Sequence, residues 1–98
     1  MKCNVKFSLF PNGLGFNAIC DMRKVGEITF VRVGDKMIID HTAVDIDFRN
    51  DNVGLNLLRQ VCNLARQHHR KIIALCPFAQ AMFNRYPEFD DVRLINAH

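Results

Sequence analysis

No apolar run in the sequence approaches the roughly 20 residues that a bilayer-spanning helix needs, so a helical membrane anchor is excluded. The first residues, Met1-Lys2-Cys3-Asn4-Val5-Lys6-Phe7, lack the long apolar core and cleavage pattern of a secretory signal. None of the four cysteines, Cys3, Cys20, Cys62 and Cys76, belongs to a C-x-x-C pair, and no Cys/His spacing is that of a zinc site. Scattered cysteines without an export signal lead us to expect four reduced thiols, a cytoplasmic location and no metal. Linkers, internal repeats and low-complexity stretches are missing too, and 98 residues leave no room for a second domain. The expectation is one domain over residues 1–98. Charge gives little direction: a net +3 favours anionic ligands weakly and does not by itself imply nucleic acid.

What is present is an ordinary globular composition, 49% apolar and 23% charged, which argues against disorder. Cys3, Val5, Phe7 and Leu9 alternate with polar residues, so residues 2–10 read as a strand. Pro11-Asn12-Gly13 reads as a turn, residues 16–20 as a second strand, and Arg23-Lys24 as the next bend. Residues 27–33 are β-branched and aromatic. Gly34-Asp35 then joins them to a strand from Met37 through His41 and Thr42 to Val44, which is a hairpin signal.

From Val53 the period changes. Leu57, Leu58, Val61, Leu64, Ala65 and His68 fall on one helical stripe, with Arg59, Asn63, Arg66 and Gln67 largely away from it. The cations of His68-His69-Arg70-Lys71 suit the negative end of that helix. Ile72-Ile73-Ala74-Leu75 is uniformly apolar and suits a strand covered on both faces. Pro77 fits the first position of a second helix, which Pro87 stops near Tyr86, and residues 92–95 form a last short strand at most. The class is α+β: antiparallel strands, helix, strand, helix.

Three segments in this order carry a resemblance. Asp40-His41-Thr42-Ala43-Val44 is similar to an H-T-x-V strand, and Arg49-Asn50-Asp51-Asn52-Val53-Gly54 sits where an R/Q-x-x-G-x-G/A loop is found. Leu75-Cys76-Pro77-Phe78 followed by Tyr86-Pro87-Glu88-Phe89 is similar to an L-C-P-F then h-P-E-y pattern, the most specific of the three. On these the chain resembles the GNAT superfamily of N-acetyltransferases, in its short, single-domain YjdJ-like branch. The resemblance implies a mostly antiparallel sheet with splayed central strands and two main helices, and acetyl-CoA as acetyl donor to a primary amine. It also implies that the acetyl group lies between the splayed strands.

Residue chemistry gives that implication candidates. A pyrophosphate needs converging backbone N–H groups, preferably at a helix N-terminus. Residues Arg49, Asn50, Asp51, Asn52, Val53, Gly54 and Leu55 run directly into the amphipathic helix, and Arg49 adds a charge-assisted contact. The plainer reading of Asp51 or Asn52 is an ordinary helix cap. The strand backbone at Val44, Asp45 and Ile46 would pair with the pantetheine, and Phe78 would border it. Cys76 precedes the Pro77 helix, a placement that favours thiolate. It suits attack on the thioester or, preferably, proton donation to the leaving sulfur. Its plainer reading is a small buried hydrophobe. His41 can accept a proton from the attacking ammonium, or be a sheet histidine with a structural bond. Two other functions stay open: a CoA-binding protein with little or no turnover, since Asn50 and Asn52 replace loop glycines, and a nucleic-acid-binding module using Arg66, His68, His69, Arg70 and Lys71.

Overall fold

The computed structural model describes residues 3–94. Five strands form one sheet in chain order: β1 (Lys6–Leu9), β2 (Gly15–Cys20), β3 (Arg23–Val33), β4 (Lys36–Val44) and β5 (Lys71–Ala74). The first four make an antiparallel meander, and β5 joins β4 in parallel. A parallel neighbour requires a crossover, which is α1 (Val53–Gln67). Helix α2 (Pro77–Arg85) follows β5, with Pro77 at its start as the sequence predicts.

The helix stripe and one sheet face make the core. Leu57, Leu58, Val61, Cys62 and Ala65 of α1 are buried against Ala18, Ile28, Phe30, Met37 and Ile39 of the sheet. Each large aliphatic among them contributes about 1.5–3 kcal/mol by leaving water. Phe83 of α2 extends this core to Phe89, their ring centroids 5.6 Å apart. The opposite sheet face carries Asn17, Ile19, Glu27, Thr29, Val31 and His41, none of which is buried. His68, expected on the apolar stripe, is instead the exposed C-terminal cap of α1.

Two bulges shape the meander. Ala18 pairs with Gly26 and Ile19 with Lys24, so Val25 is the extra residue in β3. Phe30 pairs with Ile39 and Thr29 with His41, so Asp40 is the extra residue in β4. Each extra residue shifts the inward-outward alternation by one. In β4, Met37 and Ile39 face α1 before the bulge. After it Thr42, opposite the buried Ile28, takes that direction, and His41 faces the other way.

Several boundaries differ from expectation. The first strand is shorter than residues 2–10, because pairing with β2 begins at Lys6 opposite Ile19; Lys2 lies outside the described residues. The bend expected at Arg23-Lys24 falls at Asp21 and Met22, whose φ values of 51° and 66° make a tight hairpin turn. The expected Gly34-Asp35 turn is present, with Val33 opposite Lys36 and Gly34 at φ 61°. β5 is covered on one face, not two: Ile72 is buried, whereas Leu75 just beyond the strand is 62% exposed. Of the last expected strand only a bridge between Ile72 and Arg93 forms, and Ile95 lies outside the described residues. Cys3 and Cys20 are joined as a disulfide, their Cα atoms 6.0 Å apart, against the expectation of four free thiols. The sequence hides this pair because 17 residues and a whole hairpin separate the two.

The polar side of α1 is bridged to the segment after α2 by half-exposed ion pairs. Arg59 grips Glu88 through two bonds of 3.0 Å. Arg66 grips Asp91 at 2.7 and 2.9 Å and donates to the Glu88 carbonyl at 2.8 Å. Lys71 donates to the Asp91 carbonyl at 2.6 Å. These bonds fasten the segment after α2 onto α1, and they engage two of the five residues, Arg66 and Lys71, on which the less favoured nucleic-acid reading rests.

Candidate functional site

Strand β4 has two neighbours for half its length. Residues 36–39 pair with β3 on one side and with β5 on the other, ending at Ile39 opposite Ala74. The Ile39 carbonyl closes the ladder by accepting from the N–H groups of Leu75, at 3.0 Å, and Cys76, at 3.2 Å. The Asp40 bulge follows at once, held by the Thr29 hydroxyl, which donates to the Asp40 carboxylate at 2.7 Å. Beyond it β4 keeps its β3 partners up to Val44, while the chain after β5 turns away into α2. Among the described residues no strand pairs with the other edge of residues 40–44.

The space so opened is a cleft of about 480 Å³ lined by Thr42, Ala43, Val44, Arg49, Gly54 and Phe78. Three consecutive β4 residues line it, so the cleft follows the strand's edge and is not confined to one face of the sheet. An unpaired strand edge offers N–H and C=O groups to any extended chain carrying amides. The far end of the cleft is the first turn of α1. Gly54 is needed there for packing: a Cβ on it would lie 2.8 Å from the Phe78 ring, so glycine lets α2 close over the start of α1.

The loop between β4 and α1 divides its residues. Asp45 ends the strand direction; its N–H donates to the Val25 carbonyl at 2.7 Å and its carboxylate pairs with Arg23 at 3.1 Å. A 3-10 turn, Ile46–Phe48, leaves Ile46 74% exposed. Asp45 and Ile46 therefore stand beside the cleft and not in its lining, which lies two residues earlier, on Thr42 and Ala43 as well as Val44. Asn52 is the N-terminal cap position of α1, at φ 60° in the left-handed region, and its side chain makes no capping bond. The first-turn N–H groups of α1 thus get no help from Asn52 and keep their pull on an anion. Val53 and Leu55 bury their side chains in the core, so only their backbone can face a ligand. Asn50 is exposed. Asp51, Asn52 and Val53 also line a second hollow of about 360 Å³, against Cys3, Asn4 and Phe7.

Cys76 is the cap residue of α2, buried, with extended backbone. Its Sγ lies 3.6 Å from the Thr42 hydroxyl oxygen, which ties the start of α2 to the unpaired edge of β4. His41 lies one residue away but on the other sheet face, half-exposed, with Nε2 3.2 Å from a Glu27 carboxylate oxygen. The two sequence candidates for proton chemistry thus flank β4 from opposite sides. The other free thiol, Cys62, is fully buried, and burial pushes its pKa up to about 12.

The GCN5-related N-acetyl-transferase family profile matches residues 16–92, which include the cleft, the loop and both helices. A GCN5-like protein from Staphylococcus aureus, whose own acetyltransferase assignment is provisional, is 32% identical. That match covers 97% of this chain and 93% of that one, with a TM-score of 0.77. The chain belongs to the GCN5-related N-acetyltransferase family. Two more distant structures share the fold alone. The ribosomal-protein-S18-alanine N-acetyltransferase of Escherichia coli is 17% identical over 74% of this chain and 50% of its own, with a TM-score of 0.65. The N-acetylglutamate synthase of Neisseria gonorrhoeae, solved with coenzyme A and N-acetyl-glutamate, is 16% identical over 83% of this chain and 21% of its own, also with a TM-score of 0.65. A search of curated proteins finds no match. The GNAT fold is therefore present here as a five-stranded mixed sheet with two helices, and membership is consistent with acetyl transfer from acetyl-CoA. No helix among the described residues is long and apolar enough to cross a membrane.

Two residues of this GNAT domain escape a reading of the sequence. Thr42 stands inside the H-T-x-V segment, but its link to Cys76 depends on the bulge that turns it toward α2. Glu27 gives no motif signal; only the β3–β4 register brings it to His41.

Proposed function

We propose that the chain moves an acetyl group from acetyl-CoA to a primary amine, with the donor held along the cleft beside β4. The observation that carries this reading is the unpaired β4 edge at residues 42–44 running into the first turn of α1 within one cleft. The residues present fit such a donor. The strand edge offers amide partners to the pantetheine, the first turn of α1 and Arg49 suit the pyrophosphate, and Phe78 supplies an apolar wall. Acetyl-CoA supplies an activated acyl carbon, a thioester.

The chain's own groups then handle protons. His41 takes one proton from the ammonium, freeing the nitrogen lone pair. As the C–N bond forms and the C–S bond breaks, the nitrogen gives its second proton to water and the sulfur gains one from Cys76. Cys76, buried beside the cleft residue Thr42, would donate to that sulfur and then recover a proton from water. An N–H of the β4 edge stabilises the oxygen that becomes negative. We assign the donor and the acid-base groups to one domain spanning residues 1–98.

A second reading, CoA binding without turnover, is favoured by the Asn52 side chain at a position where the backbone must approach phosphate. Calorimetry with acetyl-CoA and CoA, together with product analysis over a panel of amines, separates the two. Saturable binding with acetylated product supports transfer. Stoichiometric binding with no product supports the second reading, and no binding of either compound contradicts both.

A further inference from the structure

We propose that Glu27 is a positioning residue that holds His41 as the Nε2–H tautomer on the outer sheet face, leaving Nδ1 to take the proton from the acceptor amine. The inference rests on the acetyl-transfer reading and adds to it the side from which the acceptor arrives. Cross-strand register is the first support. Glu27 pairs with Ala43 and Thr29 with His41, so Glu27 and His41 are diagonal neighbours on the face away from α1. The two carboxylate oxygens are divided: Lys24 donates to Oε1, and His41 Nε2 sits 3.2 Å from Oε2. Nε2 is thus the ring nitrogen beside the carboxylate, and a proton held there for Glu27 would fix the tautomer and make Nδ1 the base.

The surroundings agree. Glu27 is 25% exposed and His41 53%, so the carboxylate is sheltered while the ring reaches outward. The Lys24 hydrogen bond, with a smaller contribution from His41, holds the Glu27 carboxyl below its ordinary pKa, so Glu27 stays an anion at neutral pH. Glu27 also lines a shallow hollow of about 500 Å³ with Lys24, Ala43 and Val44, and the last two line the donor cleft as well. Donor cleft and outer hollow therefore meet at the β4 edge. The charged groups facing His41 are Glu27 and Lys24 from β3 and Asp40 from β4, the last bonded to Thr29. From β2 the neutral Asn17 stands opposite Glu27, and Lys6 of β1 lies a strand further away.

The test reads His41 directly. Ring nitrogen shifts of the full chain should show Nε2–H for the neutral ring, and Glu27→Gln should remove that preference. In turnover, the same variant should lower kcat about tenfold, with KM for acetyl-CoA unchanged. Glu27→Asp should restore part of both. An Nδ1–H ring, or ring nitrogen shifts unchanged by Glu27→Gln, overturns the proposal. Absence of any acetylated amine from the unaltered protein overturns the transfer reading and the proton-acceptor role together, while the ring shifts still decide whether Glu27 sets the tautomer.

Discussion

The two halves of β4 have the same strand geometry and opposite uses. Residues 36–39 are paired on both edges, and Met37 and Ile39 are buried completely. Residues 41–44 are paired on one edge and hold no buried residue. One extra residue, Asp40, separates them. A fully paired strand has no backbone donors or acceptors left for a ligand, so the site begins where β5 departs. The bulge also re-aims the side chains, turning Thr42 to Cys76 and His41 to Glu27.

The sharpest contrast should come from matched substitutions in the two halves. Ile39→Ala removes a fully buried side chain and should cost about 3 kcal/mol of stability, measured by denaturant unfolding. Thr42→Val should change stability by less than about 1 kcal/mol, yet weaken acetyl-CoA binding and alter Cys76 reactivity. Equal stability losses at both positions would erase the distinction between halves.

Next in size is the disulfide, whose Cys3 lines the second hollow and not the cleft. Cys20→Ser should lower stability by about 2–3 kcal/mol and leave acetyl-CoA affinity at the cleft nearly unchanged. A variant as stable as the parent under oxidising conditions would show that the bond does not form in solution.

Much of the fold was legible because it rests on local period. The alternation within residues 2–10, the Gly34-Asp35 turn between two apolar runs and the apolar stripe of α1 each declare an element within a few residues. Pro77 and Pro87 bracket α2 for a reason intrinsic to proline. The misses share a different cause. Met22 adopts a positive φ that its side chain does not advertise, the bulges at Val25 and Asp40 depend on register between strands, and Cys3 meets Cys20 only through β1–β2 pairing. In the site, Cys76, His41, Arg49, Gly54 and Phe78 are visible as residue types in a pattern. Their division between two sheet faces, and the partners Thr42 and Glu27, appear only once the strands are aligned.

The two free thiols offer a smaller effect that compares core with cleft. Burial holds Cys62 protonated up to about pH 12, so it should resist alkylation in the folded protein. A folded pKa raised above the unfolded value gives stability that is complete below the unfolded pKa. It is lost as pH rises from there to about 12. Cys76 should react faster than Cys62, and acetyl-CoA should protect it. Cys76→Ser should lower transfer about tenfold or more while leaving CoA affinity nearly intact. Full activity in Cys76→Ser, or equal reactivity at both thiols, would return Cys76 to a packing role.

The smallest expected change is at Asn52. Glycine tolerates its left-handed backbone and removes the side chain beside the first turn of α1, so Asn52→Gly should tighten acetyl-CoA by a few-fold, with stability altered by under about 1 kcal/mol. Calorimetry on the variant reads the first quantity and thermal unfolding the second.

Backbone amide shift mapping of the full chain during an acetyl-CoA titration, with CoA and a nucleotide as controls, tests the central claim most directly. The account predicts one saturable set of changes at Thr42, Ala43, Val44, Arg49, Gly54 and Phe78, with the doubly paired residues 36–39 nearly still. Changes confined to the hollow beside Cys3 and Asn4, or spread equally over both halves of β4, would contradict it.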